Sequence, residues 1–165
     1  MTNRTLFEIQ FELLKKELDL VDGAIRQHDD ITKGIKNWAI VTWSASVGLF
    51  ASTEELRQFI WVTILVPCVF WLVDASFRRI QRSFITRADE ISRYINSDSF
   101  RQSALSGAPL EFSLLQMRTK SANWLSSSEN WENTLLGTML FYSVSFLYLG
   151  LSLGSILIWR FSLSM

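Results

Sequence analysis

Asp74 is the residue of this sequence whose chemistry most needs explaining. It follows the apolar run Val69, Phe70, Trp71, Leu72 and Val73, with Ala75 and Phe77 beyond it. A carboxylate in such surroundings needs a partner, because an unpaired buried charge is costly. Folding the chain about Glu55 sets Asp74 opposite Lys36, since the two are equally distant from that residue. The pair fits either a structural ion pair or a gating group, and both roles stay open. Other reactive groups are sparse. His28 is the only histidine, with Asp29 and Asp30 beside it. One histidine builds no metal or acid–base centre alone, so it reads as a helix-packing residue rather than a ligand or pH sensor. Cys68 is the only cysteine, which excludes an intrachain disulfide and a Cys-based zinc site. A Gly-rich phosphate loop, a nucleophile elbow and an HExxH motif are all missing, and acids such as Asp89 and Glu90 lie among basic residues as on a solvated helix face. The expectation is a protein without enzymatic activity, cofactor or metal.

The elements that must hold Asp74 and Lys36 are helices. Of 165 residues 48% are hydrophobic, and only two prolines and seven glycines punctuate them, which favours long helices over strands. Three apolar stretches stand out: Trp38 to Ser52, Phe59 to Val73, and Thr134 to Trp159. The third carries no charged residue and, at about 1.5 Å per residue, exceeds the roughly 30 Å of a bilayer's hydrocarbon core. The first two are shorter and separated only by Thr53 to Gln58, so they read as one hairpin. Lys33 and Lys36 precede that hairpin, Arg78, Arg79 and Arg82 follow it, and only Arg57 lies in its turn. The positive-inside rule then sets the N-terminus in the cytoplasm and the short C-terminus outside the cell's inner membrane. Trp38, Trp71, Trp124 and Trp131 fall near the inner interface, and Trp61 and Trp159 near the outer one. Charged residues run throughout the segment before Trp38, so no cleaved signal peptide is expected.

Phe7, Phe11, Leu14, Leu18, Val21, Ile25, His28, Thr32 and Ile35 recur at alternating spacings of four and three, the seam of a heptad helix. With no proline before Ser52, a nearly continuous helix from Leu6 to Ser52 is predicted. Phe77, Ile80, Phe84, Ala88, Ile91 and Ile95 make a second stripe. The expected organisation is a cytoplasmic heptad-patterned helix over 1–36, a transmembrane hairpin over 37–75, cytoplasmic helices with a Ser-rich loop over 76–133, a third transmembrane helix over 134–160, and a tail over 161–165. Within this, Asn96 to Pro109 reads as the loop, Pro109 as the start of a helix with Leu110, Leu114, Met117 and Trp124 or Leu125 on one face, and Ser126 to Asn130 as caps for the last span. The fold class is an all-α integral membrane protein, with the hairpin extended into cytoplasmic helices and a third long span.

Small residues repeat at helical spacing, Ser44, Gly48 and Ser52 in the first span and Gly150 and Gly154 in the third, where another helix can approach closely. Packing within one subunit and contact between subunits are equally compatible with them. Pro67 predicts a kink in the second span through the freed carbonyl of Thr63. Arg78, Arg79, Arg82, Arg87 and Arg93 form a basic stretch that can face a ligand or anionic lipid. The net charge is zero, so direct sequence-specific nucleic-acid binding is not expected.

The stretch from Pro67 to Phe77, followed by Gln81, Arg82, Ser83 and Phe84, and the Lys36, Asn37, Trp38 lead into the first span, resemble the SLATT group of small prokaryotic membrane proteins over about residues 20 to 95. What the resemblance implies is a membrane effector of bacterial antiphage defence. Such an effector is a homo-oligomeric channel or pore, held closed in the lipid bilayer, that depolarises the inner membrane when a partner signals infection. The implied signal is a nucleotide from a neighbouring nucleotidyltransferase-type sensor. The third span and residues 96–133 depart from a two-span pattern. The alternative is a non-conducting membrane anchor or assembly subunit that recruits a soluble partner through the Phe7 to Ile35 seam.

Overall fold

The computed structural model describes residues 5–52, 54–116 and 134–162, and all regular structure among them is helical. In order, α1 runs Leu6–Ser52, α2 Glu54–Arg57, a 3₁₀ helix Ile60–Ile64, α3 Leu65–Ile95, α4 Asp98–Ser106, α5 Leu135–Met139 and α6 Tyr142–Ser162. The expected unbroken helix up to Ser52 is therefore present, because neither Gly23 nor Gly34 interrupts the ladder and no proline intervenes. Ile60–Ile95, taken together, and Tyr142–Ser162 are each long and apolar enough to cross a membrane.

The chain divides into two compact units, one of Met1–His28 with Ile80–Ser121, the other of Asp29–Arg79 with Ala122–Met165. In the first, Leu14, Ile91 and Leu110 are buried, with Phe7, Leu18, Tyr94, Ile95, Phe100, Phe112 and Leu114 packed on them. Phe112 stacks on Tyr94 at 4.5 Å between centroids. The seam turns inward as its spacing requires, Leu14 and Val21 being fully buried. His28 sits in this unit as a packing residue, its ring 5.4 Å from Phe84 and Nδ1 2.9 Å from the carbonyl of Ala24.

Several local expectations need correction. The Ser-rich stretch after Asn96 is not a plain loop, because Ser97 caps α4 by accepting from the Phe100 amide and Gly107 closes it with φ 67. We expect Ser97→Ala to cost about 1 kcal/mol, read as lower thermal stability and lost amide protection at Phe100. Pro109 opens no helix over the described residues; residues 108–116 are irregular, and Leu110 and Leu115 donate their amides to side chains of α1 instead. Pro67 produces no break in mid-helix, since it lies in the first turn of α3, where a missing N–H deprives no carbonyl of an α-helical bond. The irregularity falls before it, in the 3₁₀ helix, where Thr63 is buried and its hydroxyl donates to Ile60 O at 2.7 Å. The last apolar stretch is likewise two helices rather than one. Around Leu140 and Phe141 the Met139 carbonyl leaves the helical ladder to accept from Trp71 Nε1 at 3.1 Å and Ser145 Oγ at 2.5 Å. Thr134 caps α5 by accepting from the Gly137 amide. The expected caps at Ser126 to Asn130, and Met117, Trp124, Leu125 and Trp131, lie outside the described residues.

Candidate functional site

In the second unit the core combines two alanines with larger side chains of α6. Ala39 of α1, Ala75 of α3, and Val144 and Tyr148 of α6 are buried together, and Phe70, Trp71 and Leu147 pack around them. Trp71 stacks on Tyr148 with centroids 6.4 Å apart. Asp74 is next to Ala75, so the packing that buries the alanine takes the carboxylate with it, and its side chain is 0% exposed.

Two groups answer that charge. Lys36 Nζ lies 3.9 Å from Asp74 Oδ2, close enough for an ion pair but beyond hydrogen-bond reach. Its direct hydrogen bond goes instead to Ser143 O, at 2.6 Å, which fixes the ammonium against the start of α6. The Tyr148 hydroxyl donates to Asp74 Oδ2 at 3.2 Å. Among the described residues, Asp74 Oδ1 is buried with no hydrogen-bond partner. The structure thus brings the expected Lys36 and Asp74 together and adds Tyr148, which sequence reasoning missed. Arg78, one turn beyond Asp74, bonds Asp29 Oδ1 at 3.1 Å.

Close helix approach occurs at one of the expected glycines. A Cβ on Gly154 would lie 3.3 Å from Trp43 Cζ2, and the same indole donates from Nε1 to Ser155 Oγ at 2.8 Å. Gly48 and Gly150 have open space where a Cβ would stand, and Ser44, Gly48 and Ser52 are exposed. Gly154→Val should therefore lower stability by about 1–3 kcal/mol through overpacking. Gly150→Val should be close to neutral in the same thermal unfolding measurement.

The five arginines do not form one basic surface. Arg87 is buried in the first unit, where Nε donates to Glu17 Oε1 at 2.8 Å, Nη1 to Glu90 Oε2 at 3.1 Å and Nη2 to Ser113 O at 2.6 Å. Its guanidinium also lies over the Phe112 ring at 4.7 Å. Glu17 answers with its second oxygen, which accepts from the Leu115 amide at 2.7 Å. Arg78 is paired, Arg79 and Arg82 engage other groups, and Arg93 is exposed. Glu17 and Asp29 of α1 pair with Arg87 and Arg78, and the burial of Arg87 corrects its reading as a ligand or lipid contact. Compared with known proteins, the chain matches no family model, no curated protein and no solved structure.

Proposed function

We propose that the chain is an oligomeric membrane channel acting as an effector of antiphage defence, held closed by the Asp74 cluster and opened by a signal from a partner. The observation that carries the reading is the incompletely satisfied carboxylate of Asp74. A buried acceptor without a partner costs about 1–3 kcal/mol, and ionisable groups inside membrane helices are by default functional. An arrangement that holds such a group is poised against another that satisfies it better, and a ligand that prefers the second shifts the balance. On this reading the second unit is the membrane part and the first is cytoplasmic. Only 28% and 22% of the apolar windows in the two candidate spans are buried, which suits helices facing lipid better than the core helices of a soluble protein. Because α1 and α3 contribute residues to both units, a partner's signal, such as a nucleotide from a sensor enzyme, has a continuous helical route to Asp74.

The exposed face of Ser44, Gly48 and Ser52 supports assembly, because lipid solvates such a small polar face poorly and a neighbouring helix packs against it well. In membranes containing Cys68→Ser protein, Gly48→Cys should form a disulfide-linked dimer, and Leu153→Cys, also exposed, should not. Absence of the Gly48 product, or equal yield at Leu153, would overturn assembly through this face. The non-conducting anchor becomes the better reading if the chain assembles but never changes membrane potential.

A further inference from the structure

The second unit also carries a cavity away from Asp74. Ala51 at the end of α1, Arg57 of α2, Ile60 of the 3₁₀ helix, and Ile158, Phe161 and Ser162 of α6 line a space of about 210 Å³. That is smaller than the roughly 300–1,000 Å³ of sites that enclose a whole small molecule, so the cavity suits part of a larger one. Its walls are apolar apart from Arg57 and Ser162, and the Ser162 hydroxyl is already committed to Trp159 O at 2.7 Å. Arg57 forms no ion pair among the described residues. Exposed Trp61 and Trp159 belong to the same elements or lie beside them, and aromatic residues of this kind mark the level of lipid headgroups.

We infer that this cavity binds a membrane phospholipid, with part of an acyl chain against Ile60, Ile158 and Phe161 and the phosphate on the Arg57 guanidinium. The inference rests on the second unit being the membrane part. A guanidinium matches phosphate oxygens with two parallel donors, which an ammonium does not. Glu54 and Glu55 precede Arg57 on the same short helix. They disfavour a net anionic headgroup and suit one that carries an ammonium beside its phosphate, as phosphatidylethanolamine does.

The test is native mass spectrometry of the full chain in detergent, with phosphatidylethanolamine added, against diacylglycerol with the same acyl chains. Phosphatidylethanolamine should be retained and diacylglycerol should not. Arg57→Gln should lower retention at least about tenfold, because it removes the charge-assisted pair of hydrogen bonds to the phosphate, and Ile158→Trp should lower it by filling the cavity. Equal retention of the two lipids, or full retention by Arg57→Gln, would overturn the inference. Carbonate extraction of membranes keeps the two readings apart. If the wild-type chain is extracted, the membrane reading fails; if it stays while Arg57→Gln retains lipid in full, only the lipid site fails.

Discussion

Replacing Arg87 by alanine is expected to cost the first unit about 3–5 kcal/mol, the usual penalty for breaking a buried ion pair from one side. Glu17 and Arg87 are 0% and 3% exposed in their side chains, so water cannot take over from either. The variant leaves Glu17 with the Leu115 amide alone and strips Ser113 O of its donor. Arg87→Lys should not rescue it, because a single ammonium cannot reach Glu17, Glu90 and Ser113 with the planar fork they receive now. The double variant Glu17→Met with Arg87→Met should recover much of the loss, as apolar replacement of both partners often does. Hydrogen exchange at the Leu115 amide reads this locally. Its protection should collapse in Arg87→Ala, and unchanged protection would show that the pair does not hold residues 108–116 in place.

The second large effect concerns Lys36. Lys36→Met leaves Asp74 in a fully buried position with Tyr148 as its one remaining direct partner among the described residues. The Lys36 side chain is a quarter exposed and its ammonium is 3.9 Å away, so we expect a loss of about 3 kcal/mol, at the lower end for such pairs. Asp74→Asn should cost less, because the amide keeps the shape and still accepts from Tyr148 while removing the charge. Thermal unfolding in detergent should therefore rank Lys36→Met below Asp74→Asn. The reverse order would mean that the carboxylate, rather than its pairing, is what the fold needs.

Where the chain's periodicity was uninterrupted, its structure could be read directly. The seam from Phe7 to Ile35 and the absence of proline led to α1 with its end at Ser52, and the second stripe led to Ile95. The pairing of Lys36 with Asp74 followed from hairpin geometry, because residues equidistant from a turn meet across it. Tyr148 did not follow, since nothing local says which turn of a later helix will face Asp74. Glu17 was hidden for a different reason. A glutamate between Leu14 and Leu18 has the look of a solvated flank, and only the arrival of Arg87 and the Leu115 amide makes its burial tolerable. Apolar composition cannot reveal a helix break made by side chains, so the interruption at Leu140 and Phe141 waited on the bonds to Met139 O. The helix between Ser97 and Gly107 was hidden too, because the density of Ser and the glycine around it read as a loop, and only the bond from the Phe100 amide to Ser97 shows the serine as a cap.

Tyr148→Phe addresses the channel reading most directly, because it removes one hydroxyl, keeps the ring stacked on Trp71, and takes from Asp74 its one side-chain hydrogen bond among the described residues. The measurement is the membrane potential of cells producing the variant, with no infection or other trigger. Wild-type cells should hold their potential and Tyr148→Phe cells should lose it, as the closed arrangement gives way. Full potential in cells whose membranes contain the variant at wild-type level would contradict the account.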